Sequence, residues 1–277
     1  MALDEGLFVD AALSIAEGYG SRNREGWAPS LLEMAGIPAL GSDALTLGVC
    51  LDKVWTLRTV EAAGVRVAAH AVVTPEEAAA PRPPAAYPLF VKPRWEGTAK
   101  GIGATSLVRD GASLAREVQR VVARYRQPAL VESFVPGPEY TVCVVGHRPV
   151  RALPVLQRAL DSETGIGLHA VERVGESRAH HLPGDLAPDL EAELQEQALR
   201  AFRALECLDF ARVDFRLDAA DRPVFLEINP LPTFAPDGSF GILAELEGTA
   251  LPEYLGRVLA EALARLGLPG AAAPSVG

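Results

Sequence analysis

Cysteine is scarce in this chain: Cys50, Cys143 and Cys207 are the only three, an odd number without paired spacing or a nearby histidine. A disulfide framework and a zinc site are thereby excluded, and a reducing cytosol fits best. Basic residues are also in deficit, 26 Lys and Arg against 36 Asp and Glu, for a net charge of −10. That balance leaves no broad face for neutralising nucleic-acid phosphates. Any phosphate must be held by a few placed Lys, Arg and backbone N–H groups. Long apolar runs are missing too, since each stops well short of the roughly 18 residues a spanning helix needs. The N-terminus MALDEGLFVDAALSIAEG carries acids where an export signal carries bases. We expect no nucleic acid and no membrane among its partners, and a cytoplasmic location.

What is present is a large apolar complement, 49% of 277 residues, enough to build two or three packed lobes and to exclude disorder. Residues 7–16 read as a strand, followed by the loop EGYGSRNREG and a short helix APSLLEMAG that Gly36 ends. A longer helix follows, with Ser42 as N-cap, apolar positions from Leu45 to Val60 at helical spacing, and Gly64 as its stop. The proline-rich stretch 74–88 suits an exposed connector. Beyond it come short strands broken by glycines (LFVKP, EGTAKGIG, ATSLV), a helix over 112–125, and three strand-like runs ALVESFV, EYTVCVVG and VRALPVL. Residues 158–184 read as a polar loop, 186–205 as an amphipathic helix, and 253–266 as a closing helix before an Ala/Pro tail.

The sharpest signal is ARVDFRLDAADRPVFLEINPLP. If its two strands form a hairpin turning at Ala220 and Asp221, Asp214 opposes Glu227, Arg212 opposes Asn229, and all four share one face. Two acids and an amide oxygen beside an arginine admit two readings. One is a polar, solvent-facing sheet face; the other is a site for a hard divalent ion, Mg²⁺ or Mn²⁺, that offsets the repulsion. The flanking Phe210, Val213, Phe225, Leu226 and Ile228 imply a buried hairpin, where unpaired acids are expensive.

Lys92 ends the strand LFVKP and is followed by Gly97, Thr98, Gly101 and Gly103. Such glycines suit either a flap whose N–H groups and Thr98 hydroxyl meet phosphate or a tight hairpin turn. Lys53, Glu132 and Glu139, taken singly, are ordinary surface charges. The link SFVPGP between the two acids has a backbone able to meet a flat base.

In order, these blocks resemble the ATP-grasp superfamily and, within it, the D-alanine–D-alanine ligases. The resemblance runs through GIPALGS, LDKVWTLRTVEAAGV, PLFVKPRWEGTAKGIG, LVESFVPGPEYTV, ARVDFRLD and LEINPLP. It implies an α+β ATP-grasp fold, two lobes with antiparallel sheets gripping a nucleotide, at residues 43–139 and 140–268. Residues 1–42 would be a remnant of an N-terminal α/β lobe and 269–277 a tail. By resemblance, Lys53, Lys92, Gly97, Thr98, Glu132, Ser133, Val135 and Glu139 bind ATP. Asp214, Glu227 and Asn229 hold two Mg²⁺ or Mn²⁺ ions, and Arg212, with Thr98, serves catalysis. The implied reaction is ATP-dependent joining of small amino acids through an acyl phosphate, with amino acids as substrates and a homodimer as an open expectation. A truncated or non-catalytic ATP-binding module is the alternative.

Several departures stand out. Only 35 residues precede Gly36, where the family carries a lobe of domain size. Thr98 and Ala99 replace two serines of the flap. Thr233 replaces a glycine near the oxyanion, and the serine that reads the second substrate falls at Gly238 or Ser239. The family's lysine and tyrosine are not recognisable in the polar loop, where His169 and Arg173 are candidates that read more readily as loop residues.

Overall fold

The computed structural model describes residues 9–18, 20–158, 160, 180–181 and 186–269. Near its start, β1 (Ala12–Leu13) pairs in parallel with β2 (Ala39–Leu40), and α1 (Trp27–Met34) lies between them in sequence. Within residues 9–16, the expected strand is these two residues only. Gly36, at φ 67°, ends the α1 turn as expected.

The expected long helix is two: α2 (Ala44–Leu51) and α3 (Lys53–Ala62). Asp52 causes the break. Its backbone leaves the helical region at ψ 95°, and its carboxylate accepts from the N–H groups of Val54 and Trp55, so it caps α3. At the start of α2 the cap is Asp43, whose Oδ1 accepts from Thr46 N at 2.8 Å. Ser42, the expected cap, accepts instead from Leu208 N at 3.0 Å.

One antiparallel sheet is built from β3 (His70–Val73), β4 (Leu89–Pro93), β5 (Leu107–Val108) and β6 (Ala129–Ser133), in the order β3-β6-β4-β5. Strand alternation gives it two faces. Leu89, Val91, Ala129 and Val131 bury under Leu114, Val118 and Val121 of α4 (Gly111–Tyr125). Phe90 and Lys92, paired with Glu132 and Leu130, occupy the other face.

The second sheet contains β7 (Glu139–Val145), β8 (Arg151–Ala152), β9 (Leu156–Arg158), β10 (His180–His181), β11 (Phe210–Leu217) and β12 (Pro223–Asn229). Its order is β10-β9-β7-β11-β12, with β8 beside β7. On one face Val142, Val144, Ala211, Val213 and Phe215 pack against α3 and against Leu194, Ala198 and Phe202 of α5 (Pro188–Ala204). The opposite face is divided. Cys143, Val145 and Phe210 bury under α6 (Ser239–Glu247) and α7 (Leu251–Arg265), whereas Glu139, Thr141, Asp214 and Arg216 continue that face toward the first sheet. The sequence pattern had not revealed α6, because SFGILAELE is apolar nearly all round. Among the described residues, no helix is long and apolar enough to cross a membrane. His169, Arg173 and most of the polar loop lie outside the described residues, as does the tail beyond 269.

Candidate active site

The hairpin of β11 and β12 brings Arg212 opposite Asn229 and Asp214 opposite Glu227. The route to that register differs from the expected two-residue turn. A two-residue turn of the favoured type needs left-handed conformations at both central positions, which suits Asn-Gly rather than Ala-Asp. The loop instead runs from Asp218 to Arg222, closed by Asp218 N to Arg222 O at 3.0 Å, and only Asp221 is left-handed, at φ 54°. Phe215 then faces Phe225, and the register shifts by one between Asp214 and Phe215, leaving Leu226 as the extra residue. Such a bulge re-aims side chains: Leu226 lines the same cavity as Asp214 and Glu227.

Direct pairing places side chains in rungs across this face. Thr141, Asp214 and Glu227 make one rung, and Arg158, Glu139 and Arg216 make the next. Asp214 is 4% exposed. Its Oδ1 accepts from Thr141 Oγ1 at 2.7 Å, and its Oδ2 accepts from Arg212 Nε at 3.0 Å. Arg212 also reaches Glu227 Oε1 at 3.4 Å. Burial works against the Arg212 charge, but Asp214 and Glu227 outweigh it and hold the guanidinium above its ordinary pKa. Burial likewise pushes the Glu227 carboxyl up, and Lys53, Arg212 and Lys92 together overcome it, so that its pKa lies below the ordinary value. Asn229 Oδ1 accepts from Leu231 N at 2.9 Å.

Facing the hairpin is the polar face of the first sheet. Lys92 is buried and pairs with Glu132 Oε2 at 2.6 Å. Lys53, the first residue of α3, donates to the carbonyl of Glu96, and burial lowers its pKa. The flap between β4 and β5 is held by Lys100 N to Gly97 O and Ile102 N to Ala99 O, both 3.0 Å. Thr98 and Ala99 sit at φ 52° and 53°, an uncommon conformation for a β-branched residue. Gly101 is required, since a Cβ there would lie 2.4 Å from Pro93 Cγ.

Two adjoining cavities fill the space between the sheets and share Lys53, Glu96, Ala99 and Glu227 as walls. The first takes in Phe90, Lys92, Glu132, Ser133, Val135 and Glu139. The second takes in Gly97, Thr98, Arg212, Asn229, Thr233 and Ser239. The expected nucleotide, metal, catalytic and substrate residues therefore line one cleft, whereas Gly101 and Gly103 are not among its walls and His169 and Arg173 lie outside the described residues. Thr98 Oγ1 donates to Glu17 Oε2 at 3.2 Å, and Ser239 is 4% exposed.

Sequence reasoning passed over Asp52, Thr141 and Arg158. Asp52 takes Arg94 Nε and Nη2 at 2.8 Å each and Trp95 Nε1 at 2.9 Å. Arg158 Nε donates to Thr141 Oγ1 at 2.8 Å and lies 3.9 Å from both Glu139 and Asp214. The alternation in EYT, which puts Thr141 on the face of Glu139, was the available signal for one of them; Arg158 joins through strand pairing that its surroundings do not announce.

Glu139 is held up to about 7: burial raises it, Arg158 lowers it, and the neighbouring Asp214 charge adds to the rise. For a divalent ion, Asp214, Glu227 and Asn229 offer hard oxygen donors. Among the described residues no three His, Cys, Asp or Glu gather as a metal cage. Two carboxylates suit Mg²⁺, which is commonly bound through one or two carboxylates completed by substrate phosphates.

Comparison with known proteins identifies the family. Residues 59–260 match the family described as the D-Ala D-Ala ligase C-terminus. A D-alanine–D-alanine ligase of Gluconobacter oxydans is 35% identical over 250 residues, covering 89% of this chain and 79% of the relative. An uncharacterised protein, y4sG, of Sinorhizobium fredii is 29% identical, covering 89% of this chain and 72% of the relative. Among solved structures, the VanG D-Ala:D-Ser ligase of Enterococcus faecalis superposes with a TM-score of 0.77 at 23% identity, covering 92% of this chain and 74% of that one. The D-alanine–D-alanine ligase of Bacillus anthracis complexed with ATP gives 0.71 at 20%, covering 93% and 80%. The chain belongs to the D-alanine–D-alanine ligase C-terminal family and has the ATP-grasp fold.

Proposed function

We propose that this chain is an ATP-dependent carboxylate–amine ligase of the D-alanine–D-alanine ligase type that joins small amino acids in the cytoplasm. The observation that carries this reading is the meeting, in one cleft, of the hairpin set Arg212, Asp214 and Glu227 with Lys53 and Lys92. The four-stranded and six-stranded sheets serve as the two gripping lobes; α2 and α3 and Glu139 go with the six-stranded sheet rather than with the expected 43–139 lobe. Phe90, Phe134 and Leu226 offer apolar walls for a base, and the 132–135 link presents backbone to its edge. Glu139 would hold the ribose hydroxyls. Lys53 and Lys92 supply charge for the triphosphate, and an anionic partner offsets the burial that disfavours the Lys53 ammonium.

Asp214, Glu227 and Asn229 would hold Mg²⁺, which would neutralise charge on the transferred phosphoryl group. A substrate carboxylate attacks the γ-phosphorus and releases ADP. The amine of the second amino acid then attacks the acyl carbon and expels phosphate. Arg212 donates to the oxyanion formed in that second step, a contribution whose loss commonly costs about 10²- to 10³-fold in rate. No covalent nucleophile is needed. Thr233 and Ser239 line the second cavity and would meet the acceptor.

The test is ATP-dependent phosphate release with a panel of D- and L-amino acids. At least one should stimulate release, and Arg212→Ala should lower that rate about 10²-fold or more while still binding ATP. MgATP binding without release for any member of the panel would instead favour a non-catalytic nucleotide module.

A further inference from the structure

Arg216 lies in the cleft without a role in the chemistry above. β11 sets it directly opposite Glu139, and β9 sets Arg158 on the other side of Glu139. Arg216 is 5% exposed and lines the cavity together with Glu139, Phe134 and Leu226. Two contacts fix its guanidinium. Nε donates to Gly137 O at 3.0 Å, and Cζ sits 5.1 Å from the centre of the Phe134 ring. The Gly137 carbonyl is itself held in place by close packing, since a Cβ on Gly137 would lie 2.3 Å from the Leu217 carbonyl oxygen.

Despite this fixing, Nη2 is buried without a hydrogen-bond partner among the described residues. No ion pair joins Arg216 to Glu139 within 4.0 Å among the described residues, although the two are cross-strand neighbours. A buried charged donor left unmade is costly, and the Gly137 and Phe134 contacts keep the side chain from turning out to water. Glu139 offers acceptors and Arg216 only donors. A hydroxyl both donates and accepts, so a sugar hydroxyl between them satisfies both groups at once.

We propose that Arg216 is a ribose-recognition residue, donating to a hydroxyl of the nucleotide that in turn donates to Glu139. This rests on the nucleotide reading of the cleft, which the same experiment checks separately. Dissociation constants of ATP, 2′-deoxyATP and 3′-deoxyATP are measured by calorimetry for the wild type, Arg216→Met and Arg216→Lys. The wild type should bind at least one deoxynucleotide about tenfold more weakly than ATP. Arg216→Met should weaken ATP about tenfold yet leave that deoxynucleotide within about twofold, so the discrimination collapses. Arg216→Lys should fall between, and it reads the same ratio if the methionine variant does not fold.

Equal weakening of all three nucleotides would mean that Arg216 acts on the base or on packing, and would overturn the proposal. Unchanged discrimination would overturn it as well, with the nucleotide reading left standing. Failure of the wild type to bind ATP would overturn both.

Discussion

Glu139 shows how a single side chain reports on the cleft. Burial holds its carboxyl near pH 7 against an ordinary 4.5, so the folded chain keeps a proton that the unfolded chain has already lost. Stability from this group therefore falls as pH rises from about 4.5 to about 7 and stays reduced above that range. Glu139→Gln removes the ionisation. In denaturant unfolding without nucleotide, the variant should match the wild type near pH 4 and exceed it at pH 8 by an amount on the order of 2–3 kcal/mol. Parallel pH profiles for the two proteins would contradict the burial of that carboxyl. The sequence announced Glu139 only through its place in GPE. Nothing local revealed that Arg158 would flank it, because that neighbour arrives by pairing of β9 with β7.

Among the elements, the α2–α3 break and the hairpin bulge matter most to the site. Asp52 caps α3, anchors Arg94 through two 2.8 Å bonds and takes Trp95 Nε1, so it links the helix bearing Lys53 to the end of the strand bearing Lys92. Replacing it by alanine leaves a guanidinium without its buried partner, a change that usually costs roughly 3–5 kcal/mol. Asp52→Ala should show a loss of that size in urea unfolding; a loss below about 1 kcal/mol would put Asp52 among minor caps. Apolar spacing through Leu45, Val49, Leu51, Trp55 and Val60 suggested one helix, but Leu45 and Trp55 are exposed and the buried side is carried by Leu47, Cys50, Leu51, Val54, Leu57 and Val60. The break itself depends on a side chain competing for backbone N–H groups, which periodicity does not register. In the hairpin, the expected turn was wrong by one position and the Leu226 bulge compensates by one. The facing of Asp214 and Glu227 was thus legible, but the route was not.

For the molecule as a whole, order along the chain was the most informative feature. Six blocks in sequence located the cleft residues, although Lys53, Glu132 and Glu139 were unremarkable one at a time. Helix α6 was missed because its burial shows no clear stripe: the six consecutive residues from Ser239 to Ala244 are all buried. The central proposal is that the β11–β12 hairpin and the two buried lysines grip one metal-bound triphosphate. The most direct measurement is calorimetric titration of ATP with and without Mg²⁺, for the wild type and for Glu227→Gln. Mg²⁺ should strengthen ATP binding by about tenfold or more in the wild type, and that gain should vanish in the variant. An undiminished Mg²⁺ effect in Glu227→Gln, or no ATP binding by the wild type, would contradict it.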